Sequence, residues 1–452
     1  MQADWMLATA LLGGTRAMRA AGKTYLPQWP NEDDKSYQTR LQTSTLFPAF
    51  KRTVETLTGK PFSKPITVGD DVPEIIKEWT EDVDLEGRNL DAFAADVMEH
   101  ALAHGICGIL VDHPVKPEGV KTQADEKAIK LRPYFVHVKA NQLIGWVASR
   151  VNGEWTILQL RILECVEEPD GGFGTTEIQQ IRVLEPGKWS TYRKNKLKPE
   201  QWDLFDNGVT TLDFVPFVPV YGQRTGFMTG KSPLIELAFM NVEHWQSASD
   251  QRTILHVARV PILTIIGIDD DKFKLTIGAS AAVKIPLGGD MKYVEHTGAA
   301  ITAGQSDLDK LEERMVSAGS ELISIRQTGP KTATQVSSEN EGNKCALQRI
   351  TSALDDALNL ALEYMAIWVG LEEGGHVNIF KDFAAILPYG NEMTGLLSAV
   401  QMGLISKKTA IIEMKRRGIL APEVDSDIEQ EEIDAQGPNL GALDPNKQGQ
   451  ES

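Results

Sequence analysis

Residues 232–260 read SPLIELAFMNVEHWQSASDQRTILHVARV. Ser232-Pro233 is a helix start: the serine hydroxyl can accept from a free backbone N–H of the first turn, and proline suits the first helical position, where its missing N–H has no intrahelical partner. The next proline is Pro261, so the pattern predicts one helix over Pro233–Val260, about 28 residues and ~42 Å long at ~1.5 Å per residue. Working downstream, residues 261–302 turn to strand. AVKIP (282–286) and MKYVEH (291–296) flank Leu287-Gly288-Gly289-Asp290, a hairpin signal, and Pro286 suggests an edge strand. A second helix is expected over SDLDKLEERMVSAGSELISIR (306–326), where Ser306 with Asp309 resembles a capping box. Its apolar stripe, Leu308, Leu311, Met315 and Leu322, implies packing on one side only. Gln327–Lys344 holds almost no apolar residue and reads as a loop. Ala346–Leu371, rich in Leu and Ala and closed by glycines, predicts a third long helix.

Upstream, the pattern is mixed α+β. Leu90–His104 has helical apolar spacing at Phe93, Val97, Ala101 and His104, stops at Gly105, and leads into the strand-like run ICGILVD (106–112). Residues 113–130 read as a polar surface loop. Strands are expected over Tyr134–Val138, Trp155–Leu163 and Glu177–Leu184, the last two joined by the turn-rich EEPDGGFGTT. Near the other end, Ser406 caps KKTAIIEMKRRG, an acidic stretch follows, and residues 437–452 are expected to be a disordered tail. No internal repeat is present.

The 452 residues carry a formal net charge of −17, with 42% hydrophobic and 24% charged residues. That composition supports two to four packed domains and excludes global disorder and a general basic nucleic-acid-coating surface. Cys107, Cys165 and Cys345 are widely spaced and form no disulfide framework, which points to a reducing compartment. The opening MQADWMLATALLGG lacks the basic region of a secretory leader. The nearest approach to a membrane span, Ala357–Leu371, is interrupted by Asn359 and Glu363 and is shorter than the ~20 residues a bilayer requires.

Motifs with chemistry are mostly incomplete. GFMTGKS (226–232) is one residue short of a phosphate-binding loop, and ILVD (109–112) precedes it instead of following it. The plain alternative is a buried strand and a helix start. His100 and His104 share one helical face, with His113 nearby, as zinc hydrolases require. Ala101, however, stands where the HExxH motif has its glutamate, and two histidines packed on a half-buried helix are the ordinary reading. Gly172 and Gly174 do not complete a dinucleotide fingerprint. Lys415-Arg416-Arg417 suits a helix C-terminus, where cations meet the dipole.

The order of the elements resembles a portal protein of tailed double-stranded-DNA bacteriophages, in a branch catalogued mainly as a domain of unknown function. The stretches that carry the resemblance are YLPQWPNEDDKSYQTRL (25–41), GICGILVDHP (105–114), SPLIELAFMNVEHWQSASDQRTILH (232–256) and MGLISKKTAIIEMKRRGIL (402–420), within a likeness spanning residues ~5 to ~435. It implies an α+β portal fold: an N-terminal wing (1–230), a first stem helix (231–260), a β clip (261–302), a second stem helix (303–326), a tunnel loop (327–345), a long wing helix (346–379) and a helical crown (380–436). It implies a homo-oligomeric ring, usually of twelve subunits, at one capsid vertex of a virion whose proteins are made in the host cytoplasm. The ring would pass double-stranded DNA without sequence specificity. It would dock the terminase large subunit and later the head–tail adaptor, and meet the major capsid and scaffolding proteins. No enzyme activity, metal, cofactor or membrane contact is implied. The tunnel loop residues Lys331, Thr332, Thr334, Gln335 and Lys344 would face DNA, with Glu339 and Glu341 offsetting the two lysines. Pro286, Gly288, Gly289 and Asp290 would form the clip docking surface. The competing expectations are another neck or adaptor protein, a metal-dependent hydrolase using His100 and His104, and the packaging ATPase.

Overall fold

The structure, a computed structural model, describes residues 1–115, 129–195, 198, 200–259, 262–266, 290–294, 299–323, 345–381, 398–400 and 402–416. Four helices open the chain: α1 (Gln2–Leu12), α2 (Gly14–Ala21), α3 (Asp34–Thr43) and α4 (Ala49–Gly59). The two-residue strand β1 (Thr67–Val68) and α5 (Glu74–Thr80) lead to α6 (Leu90–His104). Asn89 caps α6 by accepting from the Ala92 N–H, and Gly105 ends it with φ +85°. Next come β2 (Ile106–Asp112), β3 (Tyr134–Val138), β4 (Leu143–Val151), β5 (Glu154–Asp170), β6 (Gly174–Glu185), β7 (Lys188–Lys194), β8 (Trp202–Val209) and β9 (Phe217–Tyr221). The short β10 (Gln223–Gly226) and β11 (Thr229–Lys231) precede the long α7 (Ile235–Ala258). Then follow β12 (Ile262–Ile266), β13 (Asp290–Val294), α8 (Ala299–Ser320), α9 (Ala346–Val369), β14 (Val377–Asn378) and α10 (Lys407–Arg416).

The fold is α+β. Its centre is a three-stranded antiparallel sheet in the order β3-β2-β9. β2 is buried along its length because α6 covers one side: the Cys107 thiol reaches the Val97 carbonyl of α6, and Trp368 of α9 donates its indole N–H to the Val111 carbonyl. This strand is apolar at successive positions, where a half-solvated strand would alternate. A second antiparallel sheet is a five-stranded meander, β4-β5-β6-β7-β8. Leu143, Ile157, Leu160 and Ile162 at its base share a core with Leu110, Val138 and Phe217 of the central sheet. Four residues of β4 and β5 thus pack the two sheets together, and the rest of the meander extends outward.

Several expected elements fall on their residues: α6, β2 and β3 match to the residue, and α7 and α9 to within two residues at each end. Two expectations change. Ser306 does not cap a helix, because α8 begins seven residues earlier at Ala299, leaving Ser306 exposed in its interior. The expected one-sided burial is present, at Leu308, Leu311 and Met315. The strand in MKYVEH is β13, and its described partner is β12, paired from Ile262↔Val294 to Ile266↔Asp290. AVKIP, with Pro286, Gly288 and Gly289, lies outside the described residues. All three cysteines are free, with Cys165 exposed. No described helix is long and apolar enough to cross a membrane.

By its internal contacts the chain divides into two units, Met1–Lys381 and Asp382–Ser452. In the second, the Ser406 hydroxyl accepts from the Thr409 N–H, which caps α10 as expected, and Ala410 and Ile411 are buried.

Candidate functional site: a helix–strand–helix unit and its mount

α7 and α8 lie side by side and run in opposite directions. Gln251, near the end of α7, donates to the Ile301 carbonyl at the start of α8 at 2.8 Å, and His244, nearer the middle of α7, lies 3.0 Å from Glu312. The approach is close where Gly304 meets Gln251: a Cβ at Gly304 would stand 2.2 Å from the glutamine side-chain oxygen. The β12–β13 ladder connects the far ends of the two helices. The unit is therefore a helical pair with a strand pair at its tip.

α7 is bolted to the N-terminal helices by polar bonds along its middle. Asn241 is fully buried on the apolar face of α7: its Oδ1 accepts from the Phe50 N–H at 2.9 Å and its Nδ2 donates to the Phe47 carbonyl at 2.8 Å. Ser249 meets Ser44 at 2.9 Å, and Gln246 donates to the Tyr25 carbonyl at 3.0 Å. Trp245 beside them is fully buried. Buried polar groups must be paired, so each of these bonds fixes the angle at which α7 leaves the body. The stretch 25–41 supplies the other half of the mount. Asp33 caps α3 through the Lys35 and Ser36 N–H groups, and Arg40 clasps Glu32 with two bonds of 2.7 Å over the face of Trp29. Sequence reasoning missed Asn241 and Arg40, although an amide on an otherwise apolar stripe is itself a signal that a partner waits.

Away from the body the unit exposes many charged side chains, with Phe239, Val316 and Ile266 as exposed apolar exceptions. On α8, Asp307, Asp309, Lys310, Glu313 and Arg314 are exposed, opposite Leu308, Leu311 and Met315. Of the four expected docking residues of the clip, Asp290 is described, and it is exposed at the start of β13. Lys331, Thr332, Thr334, Gln335 and Lys344 lie outside the described residues.

The other motifs resolve into structure. GFMTGKS forms the β10–β11 hairpin: Gly226 pairs with Thr229 across a turn in which Met228 has φ +56° and is fully buried. Ser232 donates to the Leu102 carbonyl at 2.6 Å and accepts from the Leu234 N–H at 3.0 Å. Lys231 is exposed, so Lys231→Ala is expected to change stability by less than about 0.5 kcal/mol. Urea denaturation checks this, and a larger loss would show that the hairpin lysine anchors the start of α7. Asp112, the acid of ILVD, accepts from the Tyr134 hydroxyl at 3.2 Å and pairs with Arg182, which ties β2 to the meander.

His100 and His104 stack at 3.9 Å, and His137 from β3 meets His100 edge-on at 5.4 Å, whereas His113 stacks on Trp368 instead. His100 Nε2 accepts from the Ala140 N–H at 2.9 Å. No group of three or more metal-binding side chains occurs among the described residues. Burial first, then the positive charge of Lys139 and neighbouring rings, pushes His100 to about 2 and His137 to about 3; His104, also buried, falls to about 4. An unfolded histidine titrates near ~6.5, so the stability owed to these neutral rings is complete above that pH and is lost as pH falls below it. The urea midpoint is expected to drop between pH 6.5 and about 4, and to drop less in His137→Phe. Parallel profiles for the two proteins would show that the cluster does not set the acid limb.

Residues 233–369 match the model of a family described as a domain of unknown function, DUF4055. That range covers α7, the strand pair, α8 and α9. No curated protein matches the sequence. Among solved structures, a chain in the neck of an empty gene transfer agent (GTA) particle, computed with C6 symmetry, is similar with TM-score 0.44 and 12% identity, over 89% of this chain and 98% of that one. A chain in the neck of the native GTA particle, computed with C12 symmetry, gives 0.43 and 12% over 89% and 98%. A chain of the native GTA virion gives 0.43 and 11% over 89% and 99%.

Proposed function

We propose that the chain is the portal subunit, or head–tail connector, of a tailed phage or phage-like particle. In this reading copies assemble into a closed ring at one capsid vertex, through which double-stranded DNA is packaged and ejected. The observation that carries the proposal is the antiparallel α7–α8 pair, fixed to the body through Asn241 and Ser249 and ending in the β12–β13 ladder. On α8 the buried Leu308, Leu311 and Met315 face the body and a run of charged residues lies opposite them, the division a channel wall needs. The sequence resemblance assigns these parts as stem and clip.

The electrostatics fit a conduit. Each phosphate contact adds to DNA affinity, and a motor channel must let the duplex move. A net charge of −17 disfavours tight holding of the phosphate backbone. In the same reading the clip around Asp290 docks the terminase large subunit and then the adaptor. Lys331 and Lys344 lie on the loop that faces DNA, and the crown and wing meet scaffolding and major capsid proteins. The protein acts without catalysis of its own.

Labelling particles with an antibody to the chain tests this. The expected image has label at a single vertex, with a copy number matching one ring. Label at every vertex, or copies in the hundreds, would contradict the assignment.

A further inference from the structure

α9 is apolar on two sides. Leu347, Leu354, Leu358, Leu362 and Met365 are fully buried against the body. On the other side Ala346, Ala353, Leu360 and Ile367 recur every seven residues, and Leu360 and Ile367 are 42% and 40% exposed. A seven-residue apolar repeat is the pattern of a seam that packs against another element, and a helix apolar all round is normally a buried one. Along this seam runs a groove of about 790 Å³, walled on its far side by Tyr221 and Phe227 of the hairpin region. The small side chains of Ala353 and Ala357 leave its floor open to a closely approaching backbone. Its lining includes Arg224 and Arg349 against one acid, Asp356. Among the described residues neither guanidinium has a carboxylate partner; Arg224 bonds only weakly to the Gly226 carbonyl and lies over Tyr221.

The chain also carries a projection of complementary character. β4 follows β5 only as far as Ile162, and β7 follows β6 only from Gln180. The β5–β6 ladder nevertheless continues to Asp170↔Gly174, so residues 165–179 stand beyond the sheet as a two-stranded ribbon, reaching roughly 20 Å at ~3.4 Å per residue. A ribbon of this kind is marginal by itself. At its tip Phe173 is fully exposed. Glu167, Asp170 and Glu177 along it are exposed and have no basic partner among the described residues; Glu168 alone is held, by Arg193.

We propose that the ribbon of one copy lies in the α9 groove of a second copy, with Phe173 entering the apolar floor and the ribbon carboxylates meeting Arg224 and Arg349. This rests on the ring reading above and names its contact. Ribbon and groove are different patches, so the contact is heterologous and steps from subunit to subunit; a self-complementary patch would stop at a dimer. Opposite charge at the rim orients the approach and makes it sensitive to salt.

The test uses full-length protein carrying Cys165→Ser, Phe173→Cys and Ala353→Cys, with Cys107 and Cys345 left in place because they are buried. Mild oxidation is expected to give a ladder of covalent multimers on a denaturing gel, and either new cysteine alone no ladder beyond a dimer. Adding Arg224→Glu and Arg349→Glu is expected to lower the ladder yield about tenfold, the equivalent of one lost charge-assisted pair. Rings in native mass spectrometry without a ladder would overturn the ribbon–groove contact and leave the ring reading standing. A fast-migrating cross-linked monomer would overturn it too, by placing the ribbon in its own groove. Protein that forms neither rings nor ladder would remove both proposals.

Discussion

Gly105→Ala is expected to destabilise the larger unit by about 4 kcal/mol, a large part of the ~5–15 kcal/mol that holds a domain folded. Two effects add. Gly105 sits at φ +85°, where a Cβ is strained by about 1–2 kcal/mol. A Cβ there would also lie 2.2 Å from the Lys231 carbonyl carbon and 2.4 Å from the Ser232 nitrogen, both backbone atoms with no freedom to step aside. Forced overpacking of this kind costs about 1–3 kcal/mol. The junction is tight for a reason: Gly105 accepts from the Gly222 N–H at 3.0 Å, and Ser232 reaches back to Leu102, so the end of α6 and the start of α7 are set by one another. Gly87 provides the control. It has φ +92° and nothing within 4 Å of a built Cβ, so Gly87→Ala carries only the conformational strain. Urea denaturation of the two variants separates the effects, and equal losses would show that the close approach is not rigid.

Arg40→Ala is expected to cost about 3–5 kcal/mol, because it leaves the Glu32 carboxylate buried without its partner. Both side chains are 4% exposed. The guanidinium donates two bonds of 2.7 Å to Glu32 and one of 2.8 Å to the Pro27 carbonyl. Those hydrogen bonds hold the Glu32 carboxyl below the usual carboxylate range. Its contribution is therefore present above the ordinary glutamate pKa and is lost as pH falls through the lowered value. Replacing both partners, Arg40→Met with Glu32→Leu, should recover most of the loss, since a matched apolar pair avoids the desolvation of two charges. A double variant no more stable than Arg40→Ala would show that packing of Arg40 on Trp29, at 4.3 Å, carries the effect. The loss should reach α7 as well, because Gln246 is bonded to the same segment at Tyr25.

The elements legible in the sequence are those whose signals coincide. In α6 and β2 the helical period, Gly105 and the continuous apolar run all change at the same place. In α7 the Ser232-Pro233 start and Pro261 bracket one uninterrupted helix. Ser306 misled because serine followed by an acid three residues on marks a helix start only when the preceding residues cannot extend it, and the stretch from Ala299 to Gln305 continues the helix. β7 and β8 carry little strand signal: KWSTYRK and WDLFDNGV are polar or mixed, and their strand form comes from pairing within the meander rather than from a buried face. The mount of the helix–strand–helix unit was legible only in outline. Asn241 with Phe47 and Arg40 with Glu32 are contacts between segments whose spacing along the chain carries no period. The ribbon 165–179 is marked in the sequence only by its turn, since nothing in a sequence says where neighbouring strands stop.

Native mass spectrometry of the purified full-length protein, with end-on electron micrographs of the same sample, checks the proposed closure into a ring around a channel. A single closed stoichiometry is expected, twelve subunits by the resemblance, with images showing a central hole. Monomers or dimers alone, at every salt and protein concentration tried, would contradict it.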